Sequence, residues 1–340
     1  MRRRISWSHL GWLVWIIGLT LLVWVLRRIP LADIHTIFSG LHVEQLGLLA
    51  GLNAAILGLF AVRWWLLLRG LDHPVPFSAV LGYRLAAFGI NYFTPGPQFG
   101  GEPLQVALLS RRQRVPAANA TASVALDKLL ELAVNLGFLA SGLALILSLG
   151  LISELTQPHL IGLVLVLLAL PVGYLALLFL GRQPLSAGLA RLPQRFAAAA
   201  PIQKLVTFVY ASETRVSAFC RAKPQVFLQA SLLSLLGWLL MILEFWLTMV
   251  FLGMPVPLLH TFVVMTAARL AFLAPTPGGL GALEAALVLA VAALGFPPAA
   301  GFSLALLIRG RDLLVGLIGL IAVGQFASGR RKQPAEDLMV

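Results

Sequence analysis

The sequence predicts an all-α polytopic membrane protein, with about six to seven full spans and two re-entrant broken-helix hairpins arranged as an inverted repeat. Of its 340 residues, 59% are hydrophobic and 11% are charged, whereas a soluble domain carries about 25% charged residues. Several uncharged apolar runs reach or approach the roughly 20 residues that a spanning helix needs. The runs are continuous, as expected for helices, rather than alternating as in a membrane β-barrel.

The longest apolar runs predict full spans at about 7–26, 46–68, 118–149, 160–180, 226–252 and 302–323. The first of these follows three arginines and therefore looks like a signal peptide. It is long, however, and Arg27 and Arg28 follow it instead of a small-residue cleavage site. We therefore predict an uncleaved first span.

A Thr-Pro-Gly motif occurs twice, at 94–96 and again 182 positions later at 276–278. Glu102 follows the first copy and Glu284 follows the second at the same spacing. Backbone groups in lipid cannot stay unpaired, so a break in a membrane helix persists only where it lines a cavity or is buried in protein. Paired breaks at corresponding positions of two halves indicate a transport site.

Each break is predicted to form a re-entrant hairpin, one entering from the inside at 77–110 and one from the outside at 261–294. The chain then divides into five parts: a first span with an external loop (1–45), repeat one (46–149), a linking span with a basic cytoplasmic segment (150–225), repeat two (226–323) and a cytoplasmic tail (324–340). Inverted repeats with broken helices recur in secondary transporters.

The distribution of lysine and arginine favours a cytoplasmic N-terminus. If each hairpin returns to its own side, the positive-inside rule is met by the basic segments 69–76, 111–117, 181–225 and 324–340. No lysine or arginine occurs in the predicted external loops 150–159, 253–260 and 295–301. Arg27 and Arg28 are the exception, because they fall outside.

The two half-helices that follow Thr-Pro-Gly point their N-termini into the membrane, where free N–H groups and the helix dipole favour anions. Arg84 and Arg269, each followed by Leu-Ala, would clamp a phosphate headgroup, since arginine can grip phosphate through two hydrogen bonds. Glu102 and Glu284 either pair with these arginines, cap the half-helices, carry protons or meet a cationic headgroup; the alternative is an ion pair that only holds the hairpin tips. The predicted substrate-binding set is Arg84, Thr94, Gly96, Glu102, Arg269, Thr276, Gly278, Gly279 and Glu284.

Other charged residues fall inside predicted spans, where a charge near the bilayer centre costs roughly 2.5–3.5 kcal/mol and usually faces a cavity or a partner. Asp127 and Glu131 are four residues apart and share one helix face. Asp127-Lys128 resembles Arg311-Asp312 once a few residues are skipped, whereas Glu244 has no obvious partner in the sequence. The predicted supporting network is Asp127, Lys128, Glu131, Arg311 and Asp312.

The remaining composition bounds partners and cofactors. The net charge is +12, and the basic residues lie between spans, where anionic lipid headgroups are the expected neighbours rather than nucleic acid. The segment 181–225 holds seven basic residues and one acid, Glu213, and is either a surface helix or helix pair on the inner leaflet or a solvated linker. Cys220 is the single cysteine, so no intrachain disulfide forms. No metal-ligand, nucleotide or hydrolase motif stands out, so neither a cofactor nor a metal is expected.

The block 274–284, Ala-Pro-Thr-Pro-Gly-Gly-Leu-Gly-Ala-Leu-Glu, resembles the hallmark of the lysylphosphatidylglycerol synthase transmembrane family, also called flippase-like domain proteins. The block 94–102 and the charged Asp127, Lys128 and Glu131 resemble the family's other polar segments within the membrane, so the resemblance covers nearly the whole chain. It implies an integral inner-membrane protein that translocates lipids or lipid-linked sugars between leaflets. Some relatives carry a soluble aminoacyltransferase domain after this module; here the sequence ends soon after the last span, so synthesis of lysyl-lipid is not expected.

Together, the residues and the resemblance predict a lipid translocase of the plasma (inner) membrane with both termini in the cytoplasm, and not an enzyme. A phospholipid or lipid-linked intermediate would cross through a polar cavity at the two hairpin tips. Membrane lipids are the expected partners, and the sequence is compatible with either a monomer or a homo-oligomer. The alternatives are a secondary transporter of a small polar solute and a membrane-embedded lipid-modifying transferase, which the intramembrane carboxylates suit but the missing nucleotide and metal motifs do not.

Overall fold

The computed structural model describes residues 20, 31–94, 100–148, 157–191, 200–274 and 276–328. Every regular element in these ranges is a helix. The predicted first span apart from residue 20, the predicted site residue Gly96 and residues 329–340 of the predicted tail lie outside the described residues.

The helices follow one another as α1 (Leu31–Ser39), α2 (Val43–Gly70), α3 (Phe77–Phe93), α4 (Glu102–Arg112), α5 (Ala117–Ser148), α6 (Gln157–Phe179), α7 (Pro184–Ala190), α8 (Ala200–Ala222), α9 (Pro224–Phe251), α10 (Leu258–Ala271), α11 (Ala282–Ala293) and α12 (Pro298–Ser328). A 3-10 turn, Pro277–Gly279, lies between α10 and α11.

Four of the described helices, α2, α5, α6 and α9, are long and apolar enough to cross a membrane. α12 has 31 residues but carries Arg309, Arg311 and Asp312 near its middle. The most apolar part of α6 has no residue buried inside the protein, so its side chains are suited to contact lipid tails. The chain is therefore an all-helical, multi-pass membrane protein.

Two groups of four consecutive helices have the same order and nearly the same lengths. α2, α3, α4 and α5 contain 28, 17, 11 and 32 residues, and α9, α10, α11 and α12 contain 28, 14, 12 and 31. α3 contacts α4, and α10 contacts α11. Each Thr-Pro-Gly motif falls between the two helices of such a pair, because proline lacks the N–H that a helix interior needs and glycine loses conformational entropy in a helix.

The turns after α2 and α9 repeat one another at a spacing of 181 residues. Residues 71–76 read Leu-Asp-His-Pro-Val-Pro, and residues 252–257 read Leu-Gly-Met-Pro-Val-Pro. In both, a tryptophan indole N–H donates to the valine carbonyl ten residues later, at 3.0 Å from Trp65 and at 2.9 Å from Trp246. The second proline directly precedes α3 or α10, where its fixed φ and missing N–H suit a helix start. This second sequence repeat was not part of the prediction.

The two groups pack closely against each other through small residues. A Cβ atom added at Gly89 of α3 would lie 2.8 Å from the carbonyl oxygen of Gly316, and one added at Gly319 of α12 would lie 2.1 Å from that of Leu85. Small residues let membrane helices approach closely and gain packing energy. α2 also contacts α9, and α5 contacts α10, so helices of both groups surround a common central space.

Arg114 offers a test of the repeated backbone. It follows α4 with φ of 55°, whereas the residue 181 positions later is Gly295 with φ of 85°. A non-glycine residue in this left-handed region destabilises the folded protein by about 1–2 kcal/mol. Glycine avoids this strain but loses more backbone entropy on folding, which cancels part of the gain. We expect Arg114→Gly to raise the free energy of unfolding by about 0.5–1 kcal/mol, measured by thermal unfolding in detergent.

The matched control is Gly295→Ala, which should lower the stability although an added Cβ there meets no atom within 4 Å. Equal effects of the two substitutions would contradict the backbone argument.

Candidate functional site

A cavity of about 340 Å³ lies at the centre of the bundle, lined by residues of both helix groups. Its aromatic lining includes Phe60, Phe88, Tyr92 and Trp238. The charged side chains of the lining are Arg84, Glu102, Asp127, Lys128, Glu131, Glu244, Arg269, Arg311 and Asp312. Charges in apolar surroundings need partners or water, so the pairing of these nine residues determines which of them a ligand can engage.

Asp127 is the most tightly held carboxylate of the first group. Its Oδ1 accepts a hydrogen bond from Nε of Arg63 at 2.7 Å, and its Oδ2 accepts one from Nη1 of Arg84 at 2.7 Å. Arg63 also donates to the backbone carbonyl of Asp127 at 3.2 Å and to the Ser234 hydroxyl at 3.1 Å, and its side chain has no exposed surface. This network ties α2, α3 and α5 together and reaches α9.

Lys128, the next residue on α5, lies between two glutamates. Its Nζ is 3.0 Å from Oε1 of Glu131 and 3.3 Å from Oε1 of Glu102. Glu102 begins α4, and its Oε2 accepts a hydrogen bond from the N–H of Gly100 at 3.0 Å. The Glu102 carboxylate therefore already meets the positive end of the half-helix that was predicted to attract an anion.

In the second group, one arginine serves two carboxylates. Nη1 of Arg311 donates to Oε1 of Glu244 at 2.9 Å, and its Nε and Nη2 both lie 2.9 Å from Oδ1 of Asp312. Glu244 is 4% exposed. Glu244 therefore has a partner that the sequence did not indicate.

Arg269 is held differently from the other cations of the cavity. Its guanidinium lies over the Trp238 ring, 4.8 Å from the centroid, and Nη2 is 3.4 Å from the sulfur of Met241. Among the described residues, no carboxylate oxygen lies within 4.0 Å of it. A cation that faces a cavity with only an aromatic and a thioether partner retains donors for an anionic ligand.

The tip of the second hairpin lies beside the cavity rather than in its lining. Glu284 is 2% exposed, pairs with Arg309 and accepts a hydrogen bond from the N–H of Gly281 at 2.8 Å. Nη1 of Arg309 also donates to the carbonyl of Gly278 at 2.9 Å. The buried hydroxyl of Thr276 has no hydrogen-bond partner in the described structure. This arrangement supports the capping and tip-holding roles considered for Glu284.

The structure thus separates the predicted substrate-binding set into groups. Arg84, Glu102 and Arg269 line the cavity, whereas Thr276, Gly278, Gly279 and Glu284 do not. Thr94 is exposed after α3 and donates its hydroxyl proton to the carbonyl of Ile90 at 2.7 Å. All five residues of the predicted supporting network line the cavity.

Aligning the two helix groups at a spacing of 181 residues pairs different residues from those that the sequence motifs paired. Lys128 corresponds to Arg309, and each pairs with the glutamate of its hairpin, Glu102 or Glu284. Arg84 and Arg269 are 185 positions apart, so Arg269 lies one helical turn further along α10 than Arg84 lies along α3. The shared Arg-Leu-Ala and the Asp127/Arg311 resemblance are therefore not in the register of the repeat.

The predicted site and network did not include Asn135, Trp238 and Met241, which line the cavity, or Arg63 and Arg309, which pair with Asp127 and Glu284. Arg63 stands near the predicted end of a span, where an arginine is ordinary, so its burial left no local signal. The 181-residue repeat of the proline turns would have revealed Arg309 as the counterpart of Lys128. Among the described residues, no group of three His, Cys, Asp or Glu side chains is placed to hold a metal ion.

Removal of the Asp127 charge tests how strongly the network holds the fold. Asp127→Asn removes the 2.7 Å carboxylate partner of the fully buried Arg63 and leaves only Glu131 at 3.8 Å, and breaking a buried pair in this way costs about 3–5 kcal/mol. We expect a corresponding loss of stability in detergent unfolding. The control is Lys223→Gln, which breaks the exposed 2.7 Å pair with Asp72 and should cost only about 0–1 kcal/mol. Similar stability of the two variants would show that Asp127 does not anchor the bundle.

Comparison with known proteins agrees with this architecture. The family described as the lysylphosphatidylglycerol synthase TM region matches residues 11–319 of the chain. A "UPF0104 membrane protein" of Methanothermobacter thermautotrophicus is 21% identical over 330 residues, which cover 94% of this chain and 97% of that protein. No solved structure matches the chain. Because the family match spans almost all of the described helices, this protein belongs to the lysylphosphatidylglycerol synthase TM region family.

Proposed function

We propose that this protein is a lipid translocase, which moves a phospholipid or a lipid-linked intermediate between the leaflets of the plasma membrane. The headgroup enters the central cavity while the acyl chains stay in the bilayer. The protein acts as a transporter and not as an enzyme, needs no cofactor, and has membrane lipids as its partners, alone or as a homo-oligomer.

The observation that carries this proposal is the central cavity itself. It combines charged side chains from both helix groups with an arginine, Arg269, that has no carboxylate oxygen within 4.0 Å among the described residues. Ionised groups are expensive inside a membrane and usually mark a substrate path. A volume of about 340 Å³ falls in the range of small-molecule sites and suits a headgroup rather than a whole lipid.

The lipid-facing surface supports the same assignment. α6 exposes Leu165 at 61%, Leu170 at 63% and Val172 at 63%, and α9 exposes Leu239 at 63%. These side chains belong in hydrocarbon, so acyl chains can lie against the outer surface of the bundle while the headgroup occupies its centre.

Two related halves of opposite orientation would give such a cavity access to either leaflet. An inverted repeat is supported by the equal helix order, by the Pro-Val-Pro turns that accept the tryptophan hydrogen bonds and by the two hairpins. The basic segments support cytoplasmic termini. Alternating access would then arise from rocking of one half against the other around a fixed site.

Arg269→Gln tests the site. The substitution removes the cation that we assign to the headgroup phosphate, and a charged hydrogen bond of this kind changes rates by about tenfold or more. We expect translocation of acyl-labelled phospholipid in proteoliposomes to fall by at least about tenfold, with unchanged yield of folded protein.

Arg111→Gln is the matched control, because Arg111 is exposed at the end of α4 and does not line the cavity. It should translocate as the unchanged protein does. Full activity of Arg269→Gln would remove this residue from the proposed site.

Cysteine labelling tests the inverted orientation. Cys220 is buried, and burial raises the pKa of its thiol to about 11, so it reacts slowly; Cys220→Ala gives a clean background. Pro74 and Pro255 are exposed and equivalent in the 181-residue register. We expect an impermeant maleimide added to intact cells to label Pro255→Cys but not Pro74→Cys. Labelling of both from one side would show that the halves are parallel.

Secondary transport of a small polar solute is the second candidate, and the size of the cavity favours it. It predicts uptake of a soluble substrate without lipid exchange. No observation in the described residues favours a lipid-modifying transferase.

A further inference from the structure

The charges that surround the cavity are paired differently in the two helix groups. In the first group, Asp127 binds both Arg63 and Arg84, while Lys128 lies between Glu102 and Glu131. Three cations therefore face three carboxylates, and every carboxylate is within 4.0 Å of a cation. This cluster is neutral and closed, so it offers no excess charge to a ligand.

The second group has the same overall charge, but its Arg269 makes no ion pair within 4.0 Å among the described residues. Arg311 binds the carboxylates of both Glu244 and Asp312, so these three residues together carry one negative charge. The balancing positive charge is Arg269, which lies over Trp238 instead. With the buried Arg63 counted as the partner of Asp127, the charges around the cavity sum to zero, with a negative side at α9 and α12 and a positive side at α10.

An unused acceptor adds to the polar character of this cavity. Asn135 lines it from α5, and its Oδ1 is buried without a hydrogen-bond partner in the described structure. A buried acceptor without a donor destabilises the protein unless a ligand or water donates to it. The free acceptor of Asn135 and the free donors of Arg269 thus suit a ligand that both donates and accepts hydrogen bonds.

We propose that the cavity recognises a zwitterionic headgroup, a phosphate next to a protonated amine, with the phosphate at Arg269 and the ammonium at the Glu244 and Asp312 carboxylates. The inference rests on the proposed function in taking a lipid as the carrier of this group. A free zwitterionic phosphate ester has the same chemistry, and the experiment below separates the two sources.

Electroneutrality distinguishes this headgroup from the others. A purely anionic headgroup would leave the neutral cavity with one excess negative charge in surroundings of low dielectric constant, and a purely cationic one would leave an excess positive charge. A zwitterion adds no net charge, and its dipole runs in the direction opposite to that of the protein charges. Arginine is suited to the phosphate, and carboxylates are suited to an ammonium group.

The test uses the full chain in proteoliposomes with acyl-labelled analogues that differ only in their headgroups, phosphoethanolamine and phosphoglycerol. Leaflet exchange is followed by chemical quenching of the label from outside. We expect the phosphoethanolamine analogue to exchange at least about tenfold faster, as the loss of one charged hydrogen bond would give. Uptake of radiolabelled free glycerophosphoethanolamine, a phosphodiester with no net charge, is measured in the same vesicles.

The outcomes separate the two proposals. Equal exchange of both analogues would overturn the zwitterion assignment and leave lipid translocation intact. Uptake of free glycerophosphoethanolamine without lipid exchange would support the zwitterion assignment and overturn the lipid translocase. Exchange of neither analogue and no uptake, with folding verified, would overturn both.

Asp312→Asn provides an independent readout, because it removes one carboxylate from the negative side and leaves Arg269 in place. It should narrow the rate ratio between the phosphoethanolamine and phosphoglycerol analogues by about tenfold. The matched control, Asp72→Asn, changes an aspartate outside the cavity that is paired with Lys223 and should keep the ratio. An unchanged ratio in Asp312→Asn would place the ammonium elsewhere.

Discussion

Charges in the apolar interior of this bundle must be compensated, and the ion pair between Arg63 and Asp127 is where this constraint has its greatest effect. Arg63 is completely buried, and its guanidinium contacts α5 through Asp127 and α9 through Ser234. Since Asp127 also binds Arg84 of α3, four helices meet at one carboxylate and one guanidinium. Loss of Asp127 would leave Arg63 only the more distant Glu131, and loss of Arg63 would leave Asp127 only Arg84, so the walls of the cavity depend on this pair.

The two halves share a framework but differ in their charges. The tryptophan-to-valine hydrogen bonds and the proline turns recur with almost the same geometry. At the hairpins, however, Lys128 is divided between Glu102 and Glu131, whereas Arg309 binds Glu284 through two nitrogens. A guanidinium fixes a carboxylate more rigidly than an ammonium does. The glutamate of the first hairpin is therefore shared through an ammonium, whereas that of the second is bound by a guanidinium through two nitrogens.

Much of the helical pattern could be predicted from local sequence. Apolar length places α2, α5, α6 and α9, and the Thr-Pro-Gly motifs mark the breaks before α4 and α11, because both depend on a few neighbouring residues. Charges inside spans were expected to face a cavity or a partner, and Asp127, Lys128, Glu131, Arg311 and Asp312 line the central cavity. Motif similarity was less reliable: it paired Arg84 with Arg269, which the repeat register separates by a helical turn.

The sequence by itself determined the membrane class, the positions of the helix breaks and the set of intramembrane charges, because these follow from hydropathy, proline and glycine chemistry and residue counts. Only the tertiary structure decided which charges pair. Arg63 reaches Asp127 across 64 residues and Arg311 reaches Glu244 across 67, and such partners are chosen by helix packing that no local pattern encodes. The same packing decided that Arg269 lies on Trp238 with no carboxylate oxygen within 4.0 Å among the described residues, because electrostatic pairing depends on distances between helices and not on spacing along the chain.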